Sequence, residues 1–182
     1  MAWQIDPNHS TIQFSARHMM IATVRGQFER FTSTIEANEQ DPTQSRVEVH
    51  IDATSLNTRN AQRDADLRGP NFLDVDNFPS ITFKSTRIEQ VDATHGRMTG
   101  DLTIHGQTHP VVLDVEYTGQ AKSPWGTTVA GFNAHTKINR KDWGLTWNAA
   151  LESGGVLVGE EITIDSEVEL VQQAEQAQTV GG

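Results

Sequence analysis

Histidines, carboxylates and arginines are the side chains here whose types and spacing could support chemistry, and each group is tested first against the simplest site it could build. His105 and His109 are four apart, as helical metal ligands would be, but Gly106 and Pro110 deny them a helix. The chain has no cysteine and no nearby His-x-His to complete a ligand set, so the pair reads as hairpin surface and no metal or cofactor is expected. His18 is more informative, because it shares the parity of Ile12 and Phe14 and precedes Met19, Met20 and Ile21. A histidine among apolar residues needs a hydrogen-bond partner, either within the protein or on a ligand head group. No Gly-x-Ser-x-Gly elbow is present, Gly154-Gly155 lacks the flanks of a phosphate loop, and Asp64/Asp66 and Asp74/Asp76 suit solvated or capping roles. Nothing in these patterns supports an enzyme.

Charge and composition narrow the partners. The 182 residues carry a formal charge of −10, which opposes nucleic acid and anionic lipid surfaces unless a local basic patch overrides it. The N-terminal residues form neither a basic n-region nor an apolar h-region, and no stretch is long and apolar enough to span a membrane, so a cytoplasmic location is expected.

The elements that must position these residues are strands. Period-two alternation places Ile12, Phe14 and Ala16 on one face, and the same pattern recurs at Val47, Val49 and Ile51, at Met98, Gly100, Leu102 and Ile104, and at Val111, Leu113 and Val115. Eight strands are predicted, near 11–18, 24–37, 45–52, 80–91, 96–105, 110–119, 125–138 and 156–171. Within 24–37 the apolar parity switches between Phe28 and Phe31, as a bulge or sharp bend requires. The fold class is therefore all-β: an eight-stranded antiparallel barrel, just wide enough to be filled by side chains or to hold one small ligand. A short helix is predicted over 57–68, capped by Ser55 or Asn57 and stopped at Gly69-Pro70, covering the barrel mouth. Arg59 and Arg63, four apart, would share its outer face, pairing with Asp64 or Asp66 or meeting a polar head group. Strand glycines, Gly26 and Gly100 among them, leave room beside the backbone. Inward parity then predicts a tunnel lined by Phe14, Phe28, Phe83, Leu102, Phe132 and Val158. The domain is expected to span 3–171, followed by a disordered tail over 172–182.

An ordered set of motifs carries a family resemblance. Trp3-x-Ile5-Asp6-x-x-His9-Ser10-x-Ile12-x-Phe14, His18 and Val24-x-Gly26-x-Phe28-x-x-Phe31 are followed by Asp64-x-x-Leu67, Phe72-Leu73-Asp74-Val75 and Pro79-x-Ile81-Thr82-Phe83. Then come Gly100-x-Leu102-Thr103-Ile104-x-Gly106-x-Thr108-x-Pro110-Val111 and Asn139-Arg140-Lys141-Asp142-Trp143-Gly144-Leu145. Together they resemble the YceI-like proteins, the lipocalin-like polyisoprenoid-binding family, with Asp66 where a histidine is common and Trp143 where phenylalanine is usual. The resemblance implies a lipocalin-like barrel that holds a long isoprenoid chain, such as a quinone tail or its precursor, and frequently a homodimer. The candidate wall is Phe14, His18, Val24, Phe28, Phe31, Leu67, Phe72, Phe83, Met98, Leu102, Phe132, Trp147 and Val158; the candidate head-group contacts are Arg59, Arg63, Asp64 and Arg140. The expected role is non-catalytic transport or storage of the isoprenoid. Two other readings stay open: an enzyme using His18, Asp64 or Arg140 in acid/base roles on such a lipid, and a sensor of apolar ligands in a stress response.

Overall fold

Alternating sequence becomes strand along most of the chain in the computed structural model, which describes residues 2–152 and 154–172. The elements are β1 (Ala2–Ile5), β2 (Thr11–His18), β3 (Ala22–Phe28), β4 (Phe31–Glu36), β5 (Arg46–Asp52), β6 (Leu56–Asn57), α1 (Ala61–Arg68), β7 (Ser80–Gln90), β8 (His95–Ile104), β9 (Gln107–Lys122), β10 (Thr128–Asn139) and β11 (Glu161–Gln172). All paired neighbours are antiparallel. Strand β11 closes the sheet. One edge pairs with β10; the other pairs with β2 through residues 163–167 and with β1 through residues 170–172, while β1 also pairs with β4. Read as bent continuous strands, β1–β2 and β3–β4 form one long hairpin. With β5, β7, β8, β9, β10 and β11 they make the eight-stranded closed barrel, and β6 is a short ribbon on the outer edge of β3.

Each bend is fixed by hydrogen bonds, local at the first and long-range at the second. Between β1 and β2 the chain makes one 3₁₀ turn, Pro7–His9, whose N-cap Asp6 accepts from the Asn8 amide. Between β3 and β4 the parity switch falls at Glu29-Arg30, where Ser55 takes up the backbone amides: its carbonyl accepts from Glu29 and its hydroxyl from Arg30. The β8–β9 connection is a two-residue turn, Ile104 opposite Gln107, with φ of 54° at His105 and 71° at Gly106. Positive φ at both central residues matches the right-handed twist of the flanking strands.

The helix differs from expectation. It starts at Ala61, not near 57, because Leu56 and Asn57 pair with Phe28 and Gln27, and Asn60, not Ser55 or Asn57, is the cap, accepting from the Arg63 amide. Arg59 sits in the left-handed region at φ 63°, ahead of the helix, so Arg59 and Arg63 do not share a helical face. At the far end of the chain Gln172 still pairs with Trp3 in β11; the remainder of the expected tail, residues 173–182, lies outside the described residues. Apolar side chains gather in two groups: Ile81, Phe83, Leu102, Ile104, Val111, Ile138 and Trp143 towards the α1 end, and Trp3, Ile35, Ala130 and Leu170 towards the other.

Candidate functional site

The inward faces of the barrel do not meet. They enclose a cavity of about 1290 Å³, above the roughly 300–1,000 Å³ of common small-molecule sites. Its wall runs from Trp3, Ile35 and Leu170 at one end to His18, Leu67, Phe72, Trp147 and Val158 at the other. The 12 residues of β10, at about 3.4 Å per residue and a tilt near 40°, give a barrel about 30 Å high. The site is thus an apolar tunnel, and the six residues assigned to it by parity, Phe14, Phe28, Phe83, Leu102, Phe132 and Val158, all line it.

Val24, Leu67, Phe72, Met98 and Trp147 also lie on the wall, as does His18. Phe31 does not: it is buried at the β3–β4 corner, outside the cavity wall. His18 ends β2 beside Val158 and is exposed, so solvent at the mouth can satisfy its ring. The strand glycines act differently from expectation. A Cβ on Gly26 would collide with the ring of Phe14 directly opposite, and one on Gly100 with the ring of Phe83. The room beside these glycines is therefore filled by aromatic rings that form the wall, and the cavity lies beyond them.

The four head-group candidates separate. Arg63 reaches the wall while donating through Nε to Thr58 Oγ1 (2.8 Å) and through Nη2 to the Thr58 carbonyl (2.7 Å). Asp64 is buried off the wall and accepts from the Thr58 amide (2.8 Å) and hydroxyl (2.5 Å), which locks the turn before α1. Arg59 is exposed and off the wall. Arg140 touches the wall, but the residue is only 3% exposed and its guanidinium is engaged by backbone carbonyls: Nε donates to Gly159 (2.9 Å), Nη1 to Leu145 (2.6 Å) and Trp147 (3.0 Å), Nη2 to Val158 (3.3 Å). Burial lowers its pKa from the ordinary arginine value, partly offset by Glu160, yet an arginine stays charged. It clamps the 145–159 segment over the mouth.

Sequence reasoning missed Asn148 and much of the far end. Asn148 holds Val158 in the wall, donating to its carbonyl (2.7 Å) and accepting from its amide (3.0 Å), a role invisible in an irregular segment without periodicity. Trp3, Ile35, Val168 and Leu170 line the other end; Ile35, Val168 and Leu170 follow from strand parity, while Trp3 lies in a strand too short to show one. Phe72 and Trp147 pack at the mouth in a tilted arrangement, ring centroids 5.4 Å apart. His105 and His109 pack against Phe78 and Trp143 respectively, as side chains of a hairpin. Among the described residues Asp6, His9 and Glu169 form a trio of metal-ligating types. His9 Nδ1 donates to the Asp6 carboxylate at 2.7 Å, and that carboxylate raises the histidine pKa, which favours the imidazolium over a neutral ligand.

Comparison with known proteins places this geometry. The family model of the YceI-like domain matches residues 3–170. The chain belongs to the YceI-like family. A UPF0312 protein of Staphylococcus aureus is 34% identical over 165 residues, covering 90% of this chain and 94% of the relative. One from Staphylococcus epidermidis is 34% identical over 168 residues, with 92% and 95% covered. Among solved structures, the YceI protein of Campylobacter jejuni superposes with a TM-score of 0.74 at 30% identity, over 87% of this chain and 90% of that one. Burkholderia cenocepacia BcnA gives 0.79 at 19% identity, over 91% and 98%. A polyisoprenoid-binding domain from Saccharophagus degradans gives 0.67 at 13% identity, over 95% and 99%. At such low identity the last two speak for the YceI-like fold alone. No helix among the described residues is long and apolar enough to cross a membrane.

Proposed function

We propose that this YceI-like protein is a non-catalytic carrier or store for a long isoprenoid chain, the tail of a quinone or of its precursor. The observation that carries the reading is the cavity itself: one continuous apolar space of about 1290 Å³, extending between the two ends of the barrel. Burying each methylene-sized unit of a chain is worth about 0.8 kcal/mol, so a tail along this wall needs few polar contacts to bind. Phe14, Phe28, Phe83, Met98, Leu102, Phe132 and Val158 supply the apolar contact; His18 and Arg63, with Arg17, Asp66 and Asn71 on the same part of the wall at the α1 mouth, are polar groups that can meet a head group. A polyisoprenoid-binding domain among the structural neighbours is consistent with this ligand class.

Native mass spectrometry of gently purified protein, followed by lipid extraction, tests the reading. Wild type should carry one isoprenoid chain. The His18→Ala protein should carry the same lipid at slightly lower occupancy, since one hydrogen bond is worth about 0.5–1.5 kcal/mol. Incubation with that lipid should give no new product. A product that disappears in His18→Ala, with a loss of about 10²–10⁴-fold in rate, would make the protein an enzyme instead.

A further inference from the structure

Beside the α1 mouth the β2–β3 hairpin ends in three consecutive apolar residues that cover no part of the cavity wall: Met19 is 43% exposed, Met20 58% and Ile21 80%. Met19 and Met20 both take positive φ, 53° and 62°, so the chain turns back immediately after projecting them. Trp147, 37% exposed, lies at the same mouth. An apolar tip of this kind calls for a partner.

Charge identifies the partner. The chain as a whole is −10, yet residues 7–28 contain no acidic side chain while contributing Arg17 and Arg25, and residues 53–63 contain none while contributing Arg59 and Arg63. The two stretches are adjacent, because Gln27 and Phe28 pair with Asn57 and Leu56. Arg17 is held at the tip itself, donating to Thr23 Oγ1 and to the Met20 carbonyl. Of the acids around this mouth, Glu29 accepts from Asn57, Asp64 is buried against Thr58 and Glu160 pairs with Lys141 at 2.6 Å, while Asp66 on the wall and Glu152, close to the Gly155 that Met20 packs on, are exposed. The opposite rim carries three acids on the wall, Glu39, Glu89 and Asp92, against one arginine, Arg97. An apolar tip with Arg17 at its base and Arg25, Arg59 and Arg63 further along the same side, in excess over the exposed acids there and at one end of an otherwise acidic molecule, suits insertion among anionic head groups.

We propose that the α1 mouth docks on an anionic phospholipid bilayer, with Met19, Met20 and Ile21 inserted at the interface and Arg17, Arg25, Arg59 and Arg63 against the head groups. The proposal rests on the isoprenoid-carrier reading and adds to it the route of loading: a prenyl chain leaves the bilayer for the tunnel at the point where the protein touches the membrane.

Vesicle co-sedimentation decides it, using phosphatidylcholine alone and phosphatidylcholine with one-third phosphatidylglycerol. Wild type should bind the anionic vesicles at least about tenfold better than the neutral ones, as expected when several arginines face anionic head groups. The combined Met19→Asn, Met20→Asn and Ile21→Ser protein should lose about tenfold or more; asparagine is used because it tolerates the left-handed backbone. Arg25→Glu with Arg59→Glu should abolish the preference for phosphatidylglycerol. Trp125→Ser, in the exposed β9–β10 hairpin, should change nothing. Equal loss in Trp125→Ser, no vesicle binding by wild type, or tip-dependent dimerisation without vesicle binding would overturn the proposal. Polyprenol binding in detergent, measured in parallel, should be the same in wild type and the tip variant. Its absence in both would remove the carrier reading, while the vesicle data would still decide the docking.

Discussion

Arg140 shows how a residue with catalytic credentials becomes structural once its partners are known. Its buried guanidinium organises four backbone carbonyls from the 145–159 segment, so Arg140→Met should destabilise the protein by about 2–3 kcal/mol through unpaired carbonyls and loosen the mouth. Urea denaturation with hydrogen exchange across 145–159 measures both effects. A second residue-scale prediction concerns Asp6 and His9, whose hydrogen bond lowers the aspartate pKa and raises that of the histidine. The histidine contribution to stability is complete below its unfolded value of about 6.5 and lost as pH rises through its higher folded value; the aspartate contribution is present above about 3.9 and lost as pH falls through its lower folded value. Asp6→Asn should therefore cost most between about pH 4 and 6.5, and NMR titration should show His9 returning towards its ordinary pKa. The motif around Arg140 was legible in sequence, but its role was not, because the carbonyls it binds belong to a segment with no periodicity.

At the scale of elements, alternation was enough to locate six of the eight barrel strands closely, since each has one wet and one apolar face. The exceptions have physical causes. β1 escaped notice because four residues are too short to show a period, and the last strand was started too early because Val156 and Val158 continue its parity while lying in the clamped loop. The helix began late because pairing with β3 won over helical propensity at Leu56 and Asn57. Glycine was misread in a more instructive way. Gly26 faces Phe14, whose ring packs on Phe28 with centroids 5.4 Å apart. Gly26→Ala should force that ring inward, at a cost of about 1–3 kcal/mol for overpacking. Combining it with Phe14→Leu should cost less than the sum of the two changes, because both act on the same space. A double-mutant cycle by chemical denaturation checks this; strict additivity would mean that the ring does not depend on the missing Cβ.

For the molecule as a whole, closing the sheet without filling it is the decisive feature. Eight strands leave an interior whose contents depend on side-chain size, and sequence parity identifies which residues point inward but not whether opposite walls touch. The tunnel was therefore legible as a list of residues, and its continuity between the two ends emerged only from the three-dimensional arrangement. Phe83, on the wall beside Gly100, provides the means to change that space. The most direct test is a titration of delipidated protein with polyprenols of increasing length, for wild type and Phe83→Trp. Affinity should rise with each added unit until the tunnel is full and then level off, and Phe83→Trp should reach its limit at a shorter chain while keeping wild-type stability within about 1 kcal/mol, because the cavity accepts the added volume. Affinity independent of chain length, or a Phe83→Trp protein destabilised by about 1–3 kcal/mol as in a filled core, would contradict the account.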